Sequence, residues 1–393
     1  MAASAALTTE AERPAVVGWA RSAVAPRGGA FKFLHPHQIG APVLHALLAD
    51  AGIDPPAVDA VVVGNALGAG GNPARMLALA AGLPRSCAAY SIDTQCCAGL
   101  DAVTMAAALI AAGNASVAIA GGAEAWSRAP IRQHRPLRQG EPAVEYERPA
   151  FAPDPEQDPD MLLSAARYAA RHRYARTAQD AYAILSHARA LEARGELARE
   201  IVPVAGLDHD THPRSLAPAR AARMPAAAVS DAADDPAPWA LSPLAVAPRA
   251  DGAAFVVLAG AEACRRLGLR RRAIWRGAVS TGAAPETPLL AAGEASRALL
   301  ARLGLSMADL SVIEMHDAFA VQALSFCDTF GLDPQRLNRR GGGLARGHPI
   351  GASAAISLVR LLADLQDEAS GALGLTTVAG AGGIGAAAVV ERA

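Results

Sequence analysis

The feature that most constrains the fold is a regular alternation of short apolar runs with longer alanine-rich stretches near both ends of the chain. The short runs predict strands at 15–19, 60–64, 88–92, 117–120, 253–258, 273–280, 310–315, 373–379 and 386–390. The longer stretches predict helices at 38–51, 73–81, 96–112, 296–303, 319–330 and 349–365. Strands that alternate with helices in this way predict an α/β protein whose sheets are covered on both faces.

The middle of the chain breaks this alternation. It is rich in proline, arginine and aspartate, and its two clear helical patterns, at 161–173 and 177–194, have no strand partners. We interpret it as an insertion into the first of two halves. The predicted parts are the start of the first half at 1–125, the insertion at 126–248, the end of the first half at 249–270 and the second half at 271–393.

The two halves repeat one another weakly. In each, a chemically reactive residue is followed by small residues, an apolar helical stretch, a strand and a pair of glycines. The first copy begins at Cys96 and the second at His348. Because a duplicated fold brings the starts of the two helices together across a pseudo-twofold axis, Cys96 and His348 are predicted to share one pocket.

Composition narrows the possible partners and location. The formal net charge is −1 and aromatic residues make up 4%, so neither a basic field nor a base-stacking platform for nucleic acid is expected. No apolar run is long enough to span a bilayer, so no membrane partner is expected. Five scattered cysteines predict reduced thiols, and the first twenty residues lack the pattern of a signal peptide. These features predict a cytoplasmic protein.

Cys96 is the first candidate for chemistry. It lies where a strand ends and a helix begins, and the partial positive charge of a helix N-terminus favours a thiolate. Gly99 lets an acyl group approach closely. A buried, inert thiol is the common alternative for such a cysteine, and this residue alone leaves both interpretations open. No second Cys or His pair stands at ligand spacing, so no metal is expected.

Three further motifs could contribute to the same pocket. A proline follows His348, and a proline at the first helical position places this histidine at the helix cap. His316 ends a predicted strand, and 379–385 is a glycine turn whose N–H groups could bind an oxyanion. Each motif has a structural alternative, namely a capping histidine, a hydrogen-bonding histidine and an ordinary hairpin turn.

Taken in order, these motifs resemble those of the thiolase family over nearly the whole chain. The matching segments are GNAL at 64–67, NPAR at 72–75, Cys96 with Gly99, GGAEAWS at 121–127, the helical segment at 178–204, DGAA at 251–254, HDAF at 316–319 and GHP at 347–349. The resemblance implies the thiolase fold, a duplicated five-layered αβαβα arrangement with an inserted loop domain.

The resemblance also implies roles for individual residues. Cys96 is expected to be a nucleophile that forms an S-acyl intermediate, and His348 is expected to activate it and to line a first oxyanion site. His316 is expected to support His348 or to donate to the same oxygen. The N–H groups of Cys96 and of the turn formed by Gly380, Ala381 and Gly382 are expected to form a second oxyanion site. Phe319 and Ala247 are the other expected oxyanion or substrate contacts.

A coenzyme A thioester, or an acyl carrier, is the substrate that this resemblance implies. No permanently bound cofactor is expected. The resemblance further implies a homodimer or homotetramer and a place in lipid metabolism.

Four departures from the family pattern bear on the reaction. Ala379 replaces the second cysteine, which in the family moves the substrate α-proton, and Ala318 removes the other position that can supply one. His316 stands where the family has the asparagine that orients a catalytic water. Asp93 replaces the asparagine before the nucleophile, and Ala247 stands at a serine that usually meets the pantetheine arm.

Three functions remain open at this stage. The first is a thiolase-like acyl-CoA C-acyltransferase of the acetyl-CoA acetyltransferase type. The second is a Cys-His-His acyltransferase or a decarboxylative condensing enzyme of the ketoacyl-synthase type, which needs no cysteine base. The third is a non-catalytic scaffold subunit of an acyltransferase complex.

Overall fold

The computed structural model describes residues 13–68 and 70–393. Residues 1–12, which carry most of the signal-peptide argument and begin the predicted first half, lie outside the described residues. The strands are β1 Ala15–Ser22, β2 Ala25–Pro26, β3 Ala60–Gly64, β4 Ala88–Ile92, β5 Val117–Ala125, β6 Arg132–His134, β7 Val144–Tyr146, β8 Ile201–Val202, β9 Ala250–Ala259, β10 Ala273–Gly282, β11 Leu310–His316, β12 Leu373–Gly380 and β13 Ile384–Arg392. The helices are α1 Pro36–Ala51, α2 Pro73–Ala80, α3 Ala98–Ala111, α4 Met161–His172, α5 Arg176–Glu192, α6 Arg194–Leu197, α7 Pro218–Ala222, α8 Ala261–Leu267, α9 Ala291–Leu303, α10 Ala320–Phe330, α11 Gly343–Arg346 and α12 Ile350–Leu365.

The predicted duplication is visible in the strand order. In the first half β1, β9, β5 and β3 lie side by side, and in the second half β10, β13, β12 and β11 repeat that order. In each half the first two pairs are antiparallel and the last is parallel. β4 extends the first sheet at its edge. The two sheets join where β1 pairs with β10 over two residues.

Helices fill the space between and outside these sheets. α3 and α12 pack against both sheets and against each other, so they form the central layer. α1 and α2 cover the outer face of the first sheet, and α9 covers the outer face of the second. The expected five-layered αβαβα architecture is therefore confirmed. Among the described residues, no helix is both long and apolar enough to cross a membrane.

Glycines bring the central helices into direct contact with the strand ends. A Cβ atom on Gly122, in β5, would lie 2.0 Å from the carbonyl oxygen of Gly351 in α12. A Cβ atom on Gly64, in β3, would lie 2.5 Å from the backbone nitrogen of Gly99 in α3. Only hydrogen fits at these positions, so the first turns of α3 and α12 meet at the ends of the first sheet.

A buried carboxyl group fastens the same junction. Glu124 is fully buried, and its side chain accepts hydrogen bonds from the backbone N–H of Ala66 (2.8 Å) and of Gly351 (3.0 Å), and from the Asn65 amide (2.7 Å). Burial raises the pKa of Glu124 to about 7, although the surrounding N–H groups oppose the shift. Glu124 therefore links the two halves of the chain beside the predicted pocket.

The segment predicted as an insertion holds a small two-stranded sheet and four helices, α4 to α7. α4 and α5 pack on the second half. The Tyr168 hydroxyl lies 2.8 Å from Ser325 Oγ, and the Tyr174 hydroxyl donates to Asp328 at 2.7 Å. Both helices lie over α10, and the start of α4, with Met161 and Leu162, lines the pocket described below. The predicted division at 126 and 248 stays a prediction.

The glycine junction gives a stability prediction. In Gly122→Ala the new methyl group collides with backbone atoms of α12 that cannot move aside, so the free energy of unfolding should fall by about 3 kcal/mol or more. Thermal unfolding followed by circular dichroism measures this. The control is Gly195→Ala, where a Cβ meets no atom within 4 Å and the backbone is helical. Equal unfolding midpoints for the two variants would contradict a tight junction.

Candidate active site

Cys96 and His348 come from different halves of the chain and meet at the junction of α3 and α12. Cys96 lies in a single 3₁₀ turn, Gln95–Cys97, that leads into α3. His348 lies just before α12. The distance from Cys96 Sγ to His348 Nε2 is 3.2 Å, within hydrogen-bond reach for sulfur. The structure thus brings together the two residues that the sequence repeat places at corresponding positions.

The turn that presents Cys96 is held in an uncommon conformation. Gln95 has a φ of 54°, in the left-handed region that a residue with a side chain seldom adopts. Asp93 supports it, because one carboxylate oxygen accepts hydrogen bonds from the Gln95 backbone N–H (2.9 Å) and side-chain amide (3.0 Å). Tertiary contacts of this kind maintain locally strained backbone at functional sites.

Ser353 fixes the tautomer of His348. The Ser353 hydroxyl donates to the Pro349 carbonyl at 3.0 Å, so it accepts a hydrogen bond from His348 Nδ1–H at 2.7 Å. Nε2 is then unprotonated and faces the Cys96 thiol. Ser353 was not among the predicted site residues, because one serine inside a small-residue helix gives no signal of the direction in which its side chain points.

The expected position of His348 at the helix cap is wrong by one residue. α12 begins at Ile350, and Pro349 is the cap residue with an extended backbone. His348 precedes it and is held in extended form, because its backbone N–H donates to the Pro248 carbonyl at 2.7 Å. Its own carbonyl accepts from the Trp126 indole N–H at 3.1 Å. These two contacts fix the histidine from both sides of its backbone.

Burial makes Cys96 and His348 a neutral pair. Burial raises the pKa of the Cys96 thiol to about 12, although the backbone N–H groups of Ala381 and of Cys96 itself face the sulfur and oppose the shift. Burial also lowers the pKa of His348 to about 4. The N–H groups at the start of the helix favour a thiolate, as expected, but the loss of hydration outweighs them, so the thiol stays protonated. A neutral imidazole beside a neutral thiol can accept its proton at the moment of attack.

His316 lies beside His348 but behind it. The ring centroids are 4.4 Å apart and the planes are inclined by 32°. Its Nε2 atom is buried and has no hydrogen-bond partner among the described residues. Burial, followed by the nearby His348 and Arg346, holds the pKa of His316 well below its usual value. The His316 ring thus packs against the His348 ring. That His316 donates a hydrogen bond to a substrate oxygen stays a prediction.

A cavity of about 300 Å³ opens onto Cys96 and His348. Four of the other expected residues line it, namely Phe319, Ala247, Gly380 and Ala381. Gly382 does not face this cavity but turns toward Phe151, whose carbonyl oxygen would lie 3.0 Å from a Cβ at that position. His316 does not line this cavity either.

The cavity wall has methyl groups at the two positions where the family pattern allows a proton-transferring cysteine. Ala379 and Ala318 both line the cavity. Cys97 does not replace the missing thiol, because its sulfur is buried and points toward the carbonyl groups of Val378 (3.9 Å) and Ile384 (3.7 Å). It packs between α3 and the β12–β13 hairpin.

The other ionisable side chains on the wall are largely engaged in ion pairs or caps. Glu147 pairs with Arg249 at 3.2 Å, and Asp160 accepts from the first N–H groups of α4. In the part of the chain that the structure describes, no group of three or more His, Cys, Asp or Glu side chains is placed to hold a metal ion. The proton chemistry of the cavity therefore centres on Cys96 and His348.

Comparison with family models agrees with this architecture. The model described as "Thiolase, N-terminal domain" matches residues 14–228. The model described as "Thiolase, C-terminal domain" matches residues 269–392. The two models together cover most of the chain, in the order of the two halves.

Individual proteins are similar over nearly their full lengths. The chain is 34% identical over 381 residues to the putative acetyl-CoA C-acetyltransferase YhfS of Bacillus subtilis, covering 96% of this chain and 98% of the relative. It is 34% identical over 388 residues to an acetyl-CoA acetyltransferase of Cupriavidus necator, covering 96% and 98%. Among solved structures, the Bacillus anthracis acetyl-CoA acetyltransferase superposes with a TM-score of 0.88 at 29% identity, covering 97% of this chain and 99% of that one. The Acat5 thiolase from Ascaris suum in complex with coenzyme A gives 0.87 at 27% identity, covering 97% and 100%.

The raised thiol pKa predicts how Cys96 responds to pH. Because the pKa of Cys96 is about 12, its thiolate fraction should stay small up to pH 9, so the ultraviolet absorbance of a thiolate, taken as the difference between the unmodified protein and Cys96→Ala, should show no ionisation step from pH 6 to pH 9. The same difference taken between Cys97→Ala and the variant that lacks both thiols should give the same result. An ionisation step with a midpoint below pH 8 would mean a stable thiolate and would contradict the neutral pair.

Proposed function

The chain belongs to the thiolase family, and we propose that it is an acyl-CoA C-acyltransferase of the acetyl-CoA acetyltransferase type that works through an S-acyl Cys96 intermediate. The observation that carries the proposal is the 3.2 Å contact between Cys96 Sγ and His348 Nε2 at a substrate-sized cavity. The names of its relatives, and the coenzyme A bound in one solved neighbour, support coenzyme A thioesters as substrates.

Acylation follows from the neutral pair. The Cys96 proton moves to His348 Nε2 as the sulfur attacks the thioester carbonyl carbon. The backbone N–H groups of Ala381 and Cys96, which favour the thiolate form of the sulfur, are the donors that we expect for the developing oxyanion. When the bond from carbonyl carbon to carrier sulfur breaks, His348 returns the proton to the leaving thiolate. Ser353 keeps the imidazole in the tautomer that both steps require.

The second half of the reaction is harder in this cavity. To form a carbon–carbon bond, a second thioester must lose a proton from its α-carbon, and Ala379 and Ala318 offer only methyl groups. His348 is then the base that remains, and its lowered pKa makes it a weak one. Loss of a positioned general base costs about 10²- to 10⁴-fold in rate. We therefore propose that transfer of the acyl group from Cys96 to the α-carbon of a second thioester is slow relative to acylation of Cys96.

The methyl wall also favours a second candidate function. Transfer of the acyl group to an amine or alcohol, or condensation driven by decarboxylation, needs no removal of a carbon-bound proton. Cys96 and His348 suffice for either reaction. The third hypothesis, a non-catalytic scaffold, predicts that no acyl-enzyme forms.

We further propose that the chain works as a homodimer or homotetramer in the cytoplasm, in lipid metabolism. β4 is the free edge of the first sheet, and Tyr90 on this strand is 39% exposed, which supports pairing with a second copy. The β6–β7 hairpin carries three exposed apolar side chains, Ile131, Leu137 and Val144, which would be covered in a tetramer. All five cysteines are free, which suits a reducing compartment.

Intact-mass analysis after incubation with acetyl-CoA tests the proposed intermediate. The unmodified protein should gain one acetyl group per chain, and Cys97→Ala should gain the same group. Cys96→Ala should gain none, because the sulfur that carries the acyl group is absent. An acetyl group on Cys96→Ala would overturn the proposal. No acetyl group on the unmodified protein or on Cys97→Ala would also overturn it and would favour the scaffold.

Product analysis then separates the two catalytic functions. Thiolysis of acetoacetyl-CoA by free coenzyme A supports the C-acyltransferase. Acylation of Cys96 without thiolysis, together with carbon dioxide release from malonyl-CoA or transfer to an amine or alcohol, would replace it by the second candidate. Introducing the missing group as Ala379→Cys should increase thiolysis and leave acylation by acetyl-CoA little changed, if the methyl wall is what limits carbon chemistry.

A further inference from the structure

We infer that the cavity accepts acyl groups that end in a carboxylate and that Arg132 binds this carboxylate. The inference rests on the proposed S-acyl Cys96 intermediate and gives it a preferred substrate class, the monothioesters of dicarboxylic acids. Three features of the structure carry it: the inward direction of Arg132, its lack of an acidic partner and the apolar body of the cavity.

Arg132 is turned toward the cavity while its neighbours face solvent. It begins β6, and Ile131 and all residues from 133 to 145 are exposed, whereas Arg132 is half-buried and lines the cavity together with Cys96. Its Nη2 donates to the carbonyl oxygens of Ala66 and Leu67, both at 3.2 Å. These carbonyls belong to the loop after β3, which also lines the cavity.

The loop that holds Arg132 is fixed to the catalytic junction. The Ala66 N–H donates to Glu124 at 2.8 Å, and the same carboxyl oxygen accepts from the N–H of Gly351 in α12. Arg132 is therefore bound to a loop that is itself fixed, through Glu124, to the start of α12 beside His348. A guanidinium group held in this way is oriented before a ligand arrives.

The charge on Arg132 is not neutralised by the protein. Three arginines line the cavity, and two of them have carboxylate partners, since Arg249 pairs with Glu147 and Arg148 pairs with Asp158. The described residues give Arg132 no carboxylate within ion-pair distance and no partner for its Nη1 and Nε atoms. Asp93 lines an adjoining cavity with Arg132, but the two side chains form no ion pair, and Asp93 Oδ1 accepts from Gln95 instead.

The remaining wall fits a chain of methylene groups. The apolar side chains that line the cavity include Leu67, Leu162, Leu289, Phe319 and Ile350. An acyl group fixed at Cys96 would cross this apolar region, and a terminal carboxylate could then accept two parallel N–H bonds from the guanidinium fork. An uncharged acyl group would leave the Arg132 charge unpaired in a partly desolvated site, which is unfavourable.

Coenzyme A phosphates share the chemistry of a carboxylate, so the test must separate the two sources. Single-turnover acylation of Cys96 is measured by intact mass with monothioesters of succinic, glutaric and adipic acids. The comparison uses thioesters of butanoic, pentanoic and hexanoic acids, which have matching chain lengths and no terminal charge. Each acyl group is supplied both on coenzyme A and on N-acetylcysteamine, which has no phosphate.

Selectivity is the ratio of the acylation rate with a dicarboxylic monothioester to that with its uncharged counterpart. The unmodified protein should give a ratio above one at the best chain length on both carriers. Arg132→Met should lower this ratio by about 10- to 100-fold, the value of one charged hydrogen-bonded contact. Arg135→Met, which removes the same charge from an exposed position of the same hairpin, should leave the ratio unchanged. Thermal unfolding midpoints show whether each variant is folded.

Three results would overturn the inference. No preference for any dicarboxylic thioester in the unmodified protein would exclude the substrate class. Equal slowing of both acyl series by Arg132→Met on coenzyme A alone would assign Arg132 to a phosphate. Equal slowing of both acyl series on both carriers would mean that Arg132 acts only by holding the loop at Ala66 and Leu67 and does not bind the acyl group. Acylation of Cys96 by butanoyl-CoA would still support the proposed function in each case, so the two proposals fail separately.

Discussion

The structure depends on one close contact, where the first turns of α3 and α12 meet the strand ends of the first half. Gly122 and Gly351 leave no room for a side chain there, and the Glu124 carboxyl binds backbone N–H groups from both sides of the junction. Because Cys96 precedes α3 and His348 precedes α12, this contact sets the distance between sulfur and imidazole. The duplication thus has a chemical consequence, since each half supplies one partner of the pair.

Burial then determines what that pair can do. The cavity removes water from both groups, which raises the pKa of the thiol, lowers that of His348 and keeps both neutral before substrate arrives. In the proposed reaction such a pair attacks when a thioester carbonyl is present to take the developing charge, and the N–H groups of Ala381 and Cys96 are its expected donors. We propose that the methyl groups of Ala379 and Ala318 leave acylation intact but make carbon deprotonation the difficult step. In the same proposal, the fixed charge of Arg132 selects the acyl group.

Much of this arrangement was predictable from the sequence. The runs at Ala60–Gly64 and Ala88–Ile92 are strands with the predicted bounds, because they are short, apolar and flanked by polar or turn residues. The family and fold were confirmed, and the repeat correctly placed Cys96 near His348. Other features depend on tertiary contacts that leave no local pattern. The thiol pKa depends on burial, and the contact of Ser353 with His348 depends on how α12 is rotated. The inward direction of Arg132 depends on a three-residue strand that is too short to show a periodic pattern.

A crystal structure of the protein after brief exposure to acetyl-CoA would show directly whether Cys96 carries the acyl group beside His348. We predict continuous electron density from Cys96 Sγ to an acetyl group, with the carbonyl oxygen within hydrogen-bond distance of a backbone N–H of Ala381 or Cys96. His348 Nε2 should remain within reach of the sulfur. An acetyl group on a different residue, or an unmodified Cys96 whose sulfur points away from His348, would contradict it.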